Sequence, residues 1–286
     1  MLVASSAFGF SCMHALIRFV SADLHSFQIA FFRNLFGLVV LLPFFVRHGG
    51  AVLSTARFGE HFVRSLLQTG AMLSFFLALS MTPLVKASAL SFTAPLFAGV
   101  GAVVLLGEHL RLRRVIALIV GFGGALLIVR PGVIPIDRGA ILVLVSSALW
   151  ALAMLLIKRM TATESSATLT AWMCLLMTPM TLLPALAVWR WPDARHWLLL
   201  LALGVVGASS QYVMAEGFRL ADASTVLPAD FTRLIWASVL GWVLFGEIPS
   251  GWTYAGASLI LGATAFLAYR ESRRQPPARV AEQGSS

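Results

Sequence analysis

The sequence predicts an all-α, polytopic membrane protein: ten transmembrane helices arranged as two inverted five-helix repeats. Three observations carry this fold class. Apolar residues make up 59% of the 286 positions and charged residues only 12%, against about 45–50% and about 25% in soluble domains. The apolar residues gather into ten runs, and a Gly-Glu pair closes the fourth run of each half at a spacing of 139 residues. With a mean hydropathy of +0.87, the chain has too few charges to cover a water-soluble surface, which excludes a cytosolic enzyme.

A membrane-crossing helix needs about 20 mostly apolar residues. The runs cover 2–20, 27–46, 62–81, 85–106, 115–129, 139–157, 167–189, 197–215, 223–245 and 252–269. They are apolar throughout, whereas the strands of a membrane barrel alternate. The first run is not a signal peptide, because its first basic residue, Arg18, stands at its far end. Residues 271–286 are basic, Pro-containing and poor in apolar groups, and read as a disordered cytoplasmic tail. The remainder divides into two repeats, 1–130 and 139–270.

A net charge of +9 does not point to nucleic acid here, because Lys and Arg sort by membrane side. With the N-terminus inside, thirteen basic residues (Arg57, Arg64 and Arg111 among them) fall on the cytoplasmic side and six (Arg18 and Lys86 among them) outside. Arg33 and Arg233 lie within runs. Both termini are therefore expected in the cytoplasm. Cys12 and Cys174 sit inside apolar runs and read as small buried hydrophobes rather than a disulfide or metal pair. No cofactor is expected.

The repeat is visible in VVLLGEHL at 103–110 and WVLFGEIP at 242–249. Val104, Leu105, Gly107 and Glu108 recur as Val243, Leu244, Gly246 and Glu247. Five crossings return the chain on the opposite face, so the second half starts inverted. Inverted repeats are the architecture of secondary carriers, whose site lies near the midplane. A channel or membrane enzyme needs no such symmetry, and no HExxH, GxSxG or GxxxxGK[ST] motif is present.

Polar groups inside the bilayer are costly unless paired or facing a watery cavity. Asp230 and Arg233 stand three residues apart on one helix face. Arg233 lies about 15 Å into its run, near the midplane, where a guanidinium fork suits a carboxylate or phosphate. His14, near the middle of the first run, can carry a coupling proton or simply pack. Arg33, two turns into the second run, can snorkel or bind. Trp150, Gln211 and Tyr212 are further candidates, as are Ser91 and Thr93 beside Pro95, which frees a backbone carbonyl and so places an opening in the wall. Glu108 and Glu247 lie at helix ends, which fits hydrogen bonding there better than substrate contact. The stripes Ala94–Ala98–Ala102 and Ala117–Gly121–Ala125 read as helix packing.

The two Gly-Glu ends, ALSFTAPLFAG at 89–99 and TRLIWASVLGWVLFGE at 232–247 together resemble the EamA-type branch of the drug/metabolite transporter superfamily. The likeness covers nearly the whole chain, except that almost nothing precedes the first run. It implies a central cavity lined largely by helices 1, 3, 4, 6, 8 and 9, driven by ion or solute gradients rather than ATP. It also strengthens Arg33, whose FFRN context is typical of the family. The partners implied are a small polar or zwitterionic organic metabolite, such as an amino-acid-derived compound, the lipid bilayer and a coupling proton. The chain is expected as a monomer or homodimer in a bacterial inner membrane, with export slightly favoured. The alternative is uptake of a vitamin or nucleoside-like solute such as riboflavin or S-adenosylmethionine.

Overall fold

The computed structural model describes residues 2–48, 53–106, 112–130, 137–160, 163–164, 166–220 and 232–272. Among them are eleven helices and no strand: α1 (Leu2–Val20), α2 (Ser26–His48), α3 (Phe58–Leu79), α4 (Leu84–Ser91), α5 (Ala94–Leu106), α6 (Leu112–Val129), α7 (Arg138–Met160), α8 (Ser166–Leu186), α9 (Ala194–Leu220), α10 (Thr232–Phe245) and α11 (Gly251–Ser272). Five described segments of 18–22 residues are long and apolar enough to cross a membrane.

The fourth apolar run is two helices rather than one. Pro95 has no N–H and its ring crowds the preceding turn, which weakens a helix at that point. The chain turns at Phe92 and Thr93, and Pro95 takes its place in the first turn of α5, where its missing donor costs nothing. Some helices outrun their apolar cores: α3 starts at Phe58 rather than 62, α9 continues to Leu220, and α11 takes in Glu271 and Ser272 of the expected tail. One arginine counted on the cytoplasmic side is misplaced by the hydropathy reading. Arg64 lies in the second turn of α3 and is only 2% exposed.

Packing joins helices that are distant in the sequence. α1 packs on α9 and α10, α3 on α7 and α8, and α2 on α8 and α9. α4 packs on α7 and α10, and α5 on α7. α6 pairs with α11 through Gly124 and Gly256, where a Cβ on either would strike the other's carbonyl. Close backbone approach of this kind is how helices associate in lipid. The small-residue stripe expected on α6 also packs, with Ala117 and Ala125 buried and Gly121 against Leu96 and Ala263.

Candidate functional site

The break between α4 and α5 lies against α10, α7 and α11. Its loose backbone groups are largely satisfied by the chain itself. Thr93 donates its hydroxyl to the Leu90 carbonyl at 2.6 Å, and Ser91 donates to Ser88 at 2.7 Å. Their donors are thus committed to the turn preceding them rather than offered to an opening, a common fate of Ser and Thr at helix ends. The carbonyl of Phe92 accepts from the Thr264 hydroxyl of α11 at 3.2 Å. Sequence reasoning did not single out Thr264. A lone threonine in an apolar run carries no signal of its own.

Arg233 occupies the first turn of α10, and its guanidinium lies over the Phe92 ring, 4.9 Å from the centroid. Its backbone carbonyl accepts from the Ser11 hydroxyl of α1 at 3.1 Å. Arg33 of α2 donates to the Asn34 amide oxygen at 3.0 Å and crosses Gly207 of α9, where a Cβ would stand 3.3 Å from its Nε. His14 of α1 is buried, with its ring edge-on to Phe75 at 4.9 Å. It lies within Coulombic reach of both Arg233 and Arg33. Its Nδ1 has no hydrogen-bond partner among the described residues. Two guanidiniums and a histidine, carried by α1, α2 and α10, therefore form one electropositive cluster.

The other sequence candidates stand apart from that cluster. Asp230 lies outside the described residues. Trp150 is 40% exposed and Tyr212 67% exposed, and Gln211 and Pro95 are exposed too. No described hydrogen bond or ring contact ties Trp150, Gln211 or Tyr212 to the arginines.

A second polar network ties together the helix ends where α1 stops and α4 starts. Gly246 closes α10 in the left-handed conformation, φ 64°, with the Glu247 N–H bonded to the Gly241 carbonyl at 3.0 Å. This is a glycine C-cap, which a Cβ would strain. The turn carries Glu247 back to α4, where its Oε2 accepts from the Leu84 N–H at 2.8 Å. Pro83 at that helix start makes no side-chain cap of its own. Glu247 also pairs with Arg18, which donates to the Thr82 carbonyl. The Thr82 hydroxyl in turn meets Asp137 Oδ1 at 3.0 Å, and Asp137 Oδ2 meets Lys86 at 2.8 Å. Burial works against the Asp137 carboxylate, but the Lys86 ammonium, the Thr82 hydroxyl and the Ala140 N–H outweigh it and hold its pKa below the usual range. Asp137 therefore stays charged at physiological pH and acts as a fixed anchor. The helix-end role expected for Glu247 is what the geometry shows. Its repeat mate Glu108 lies outside the described residues.

An all-helical fold of apolar segments, with half-buried arginines gathered around a buried histidine and interlocked polar helix ends, belongs to the class of polytopic membrane transporters. The family model for the EamA-like transporter family matches residues 1–130 and 137–269, and the chain belongs to that family. It is 32% identical to a riboflavin transporter of Vibrio cholerae, over 96% of this chain and 93% of the relative. It is 28% identical to an S-adenosylmethionine uptake transporter of Rickettsia prowazekii, over 90% and 87%. It is also 28% identical to a pseudopaline exporter of Pseudomonas aeruginosa, over 92% and 93%. A solved crystal structure shares the fold at a TM-score of 0.63, with 22% identity over 94% of this chain and 97% of the other. The chain is a membrane transporter of the drug/metabolite type and not an enzyme, and it is a multi-pass protein of the inner membrane.

Proposed function

We propose that this protein is a secondary carrier which moves a small polar or zwitterionic organic metabolite by alternating access, with export favoured. In this reading ten segments cross the membrane, α4 and α5 together forming the fourth. The halves 1–130 and 139–270 are inverted repeats, and both termini are cytoplasmic. The helix contacts support the repeat. Exchanging each helix with its mate in the other half turns α1–α9 into α7–α3, α2–α9 into α8–α3, and α1–α10 into α7 with α4 and α5. The pairs α2–α8, α4–α10 and α6–α11 map onto themselves. The larger contacts survive this exchange, as a pseudo-twofold axis requires, whereas α2–α3 has no α8–α9 counterpart of comparable extent.

The observation that carries the substrate class is the electropositive cluster of Arg33, His14 and Arg233. Guanidiniums within membrane-spanning helices call for an anion, and the fork geometry of arginine suits a carboxylate. The orphaned His14 Nδ1 is a further contact for a polar solute. Asp230, one turn from Arg233 in sequence, serves in this reading as the partner of the empty site and the carrier of the coupling proton. Relatives named for riboflavin, S-adenosylmethionine and pseudopaline support a substrate that varies widely within one family.

Counterflow in proteoliposomes tests this reading. Vesicles preloaded with unlabelled zwitterionic amino-acid derivatives or a flavin should accumulate the matching labelled solute transiently and saturably. A carboxylate-bearing substrate should compete at least about tenfold better than its uncharged amide, since a lost charge-assisted hydrogen bond is worth about 1.5–3 kcal/mol. Flux that neither saturates nor counterflows, or equal competition by the amide, would count against it.

A further inference from the structure

Away from the central cluster, α3 and α8 bury a second set of polar side chains. His61, Arg64, Ser65 and Gln68 recur at helical spacing on α3, each no more than 2% exposed. Trp172 of α8 meets the His61 ring at 5.9 Å. Few of their polar atoms are satisfied. Arg64 Nη2 donates to the Leu169 carbonyl at 2.8 Å, and the Gln68 amide reaches only the Met173 sulfur at 3.7 Å. Both ring nitrogens of His61, Arg64 Nε, Ser65 Oγ, Gln68 Oε1 and Trp172 Nε1 are buried without a hydrogen-bond partner among the described residues. Two carboxylates stand on this side within Coulombic reach of His61: Glu60, 3.7 Å from Arg57, and Glu164, which accepts from Thr55 at 2.7 Å.

The other half shows that packing does not demand these groups, a comparison that rests on the repeat proposed above. The register of 139 residues places Leu200 and Leu203 at the positions of His61 and Arg64, and Gly204 and Gly207 at those of Ser65 and Gln68. Both leucines are fully buried, and α9 packs on α2 as α3 packs on α8. The same helix-pair position is thus filled by leucine in one half and by a buried cation with unspent donors in the other. A guanidinium taken out of water without an anion is strongly disfavoured, and one carbonyl does not neutralise it.

We propose that the His61–Arg64–Ser65–Gln68–Trp172 cluster is a second anion site, which takes a carboxylate or phosphate group between α3 and α8. Arg64 supplies the charge, and the Trp172 indole and Ser65 hydroxyl supply neutral donors. The site lies about 9 Å along α3 from Phe58, between the central arginines and the face on which α3 starts.

The test is thermal unfolding of the full chain in phosphatidylcholine nanodiscs, titrated with inorganic phosphate or acetate. The midpoint should rise with the logarithm of anion concentration above the dissociation constant, by about 3–6 °C at ten times that constant. Arg64→Leu, which copies the residue at the equivalent position, should be as stable without anion and should lose the rise. Trp172→Phe keeps a ring but removes the N–H, and should weaken binding roughly fivefold. Nanodiscs containing phosphatidylglycerol and no added phosphate identify the source. An Arg64-dependent rise there assigns the site to a lipid headgroup, and its absence assigns it to a soluble anion. A midpoint insensitive to anions in both lipids overturns the proposal. So does a rise that persists in Arg64→Leu, since it would belong to the central arginines, or an affinity unchanged in Trp172→Phe. None of these readouts involves transport, so a failed counterflow beside an intact anion response would reject only the carrier reading.

Discussion

Arg233→Ala should lower substrate flux by at least about thirtyfold per folded molecule. Removing one partner of a buried, hydrogen-bonded charge pair costs about 2–5 kcal/mol, and each 1.4 kcal/mol is about a factor of ten. The guanidinium stands at the α4–α5 break, stacked on Phe92, where α10 packs on α4. The stacking itself is worth about 0.5–2 kcal/mol, so only a loss beyond about thirtyfold exceeds it. Arg233→Lys should also transport poorly, because an ammonium keeps the charge but not the bidentate fork. The control is Arg233→Ala combined with Asp230→Ala. If the two residues only neutralise each other, removing both restores flux. If Arg233 holds the substrate, the double variant folds and remains inactive. Flux normalised to folded protein in the membrane decides between them, and near-normal flux in the double variant would reject the binding role.

Glu247→Gln should shift the protein away from the conformation described above, changing the ratio of closed to open states at that face by about tenfold. The amide oxygen can still accept from Leu84, so the α4 cap survives, but the pairing with Arg18 does not. Both side chains are mostly shielded, at 22% and 12% exposure, so the pair is worth more than a free surface ion pair. Arg18→Gln should have the same effect, and the two together should be no worse than either alone, since they remove one interaction. The measurement is the rate at which a membrane-impermeant maleimide labels a cysteine placed at Leu240, beneath the network. Faster labelling in both single variants is expected, and unchanged rates would show that the network does not gate.

The membrane class was legible because it rests on composition, which lipid imposes on any chain that crosses it. Glu247 was legible for a related reason: an acid beside glycine at a helix end has few roles, and the left-handed Gly246 turns it onto the next helix start. The break at Phe92 and Thr93 was half legible. Pro95 signalled an interruption, but hydropathy alone cannot see that Ser91 and Thr93 spend their hydroxyls on the preceding turn. Arg64 was misread outright. The third run already reaches back to 62, but Arg64 stands near its start and is counted with the flanking loop. The period of His61, Arg64 and Gln68, three and four residues apart on one face, was the signal that could have found it. Thr264 and Trp172 gain meaning only from the helices they face, and no local pattern announces that.

In the proposed carrier, two inverted halves rock about a shared centre, so that opening one face closes the other. Spin labels at Ser80 and Ser250, both exposed, report the face of the Arg18–Glu247 network. Labels at Ser54 and Thr163, also exposed, report the opposite face. With Cys12 and Cys174 replaced, pulsed electron–electron distance measurements should show Glu247→Gln lengthening the first distance and shortening the second. Both distances growing together, or the second staying fixed while the first grows, would contradict alternating access by inverted repeats.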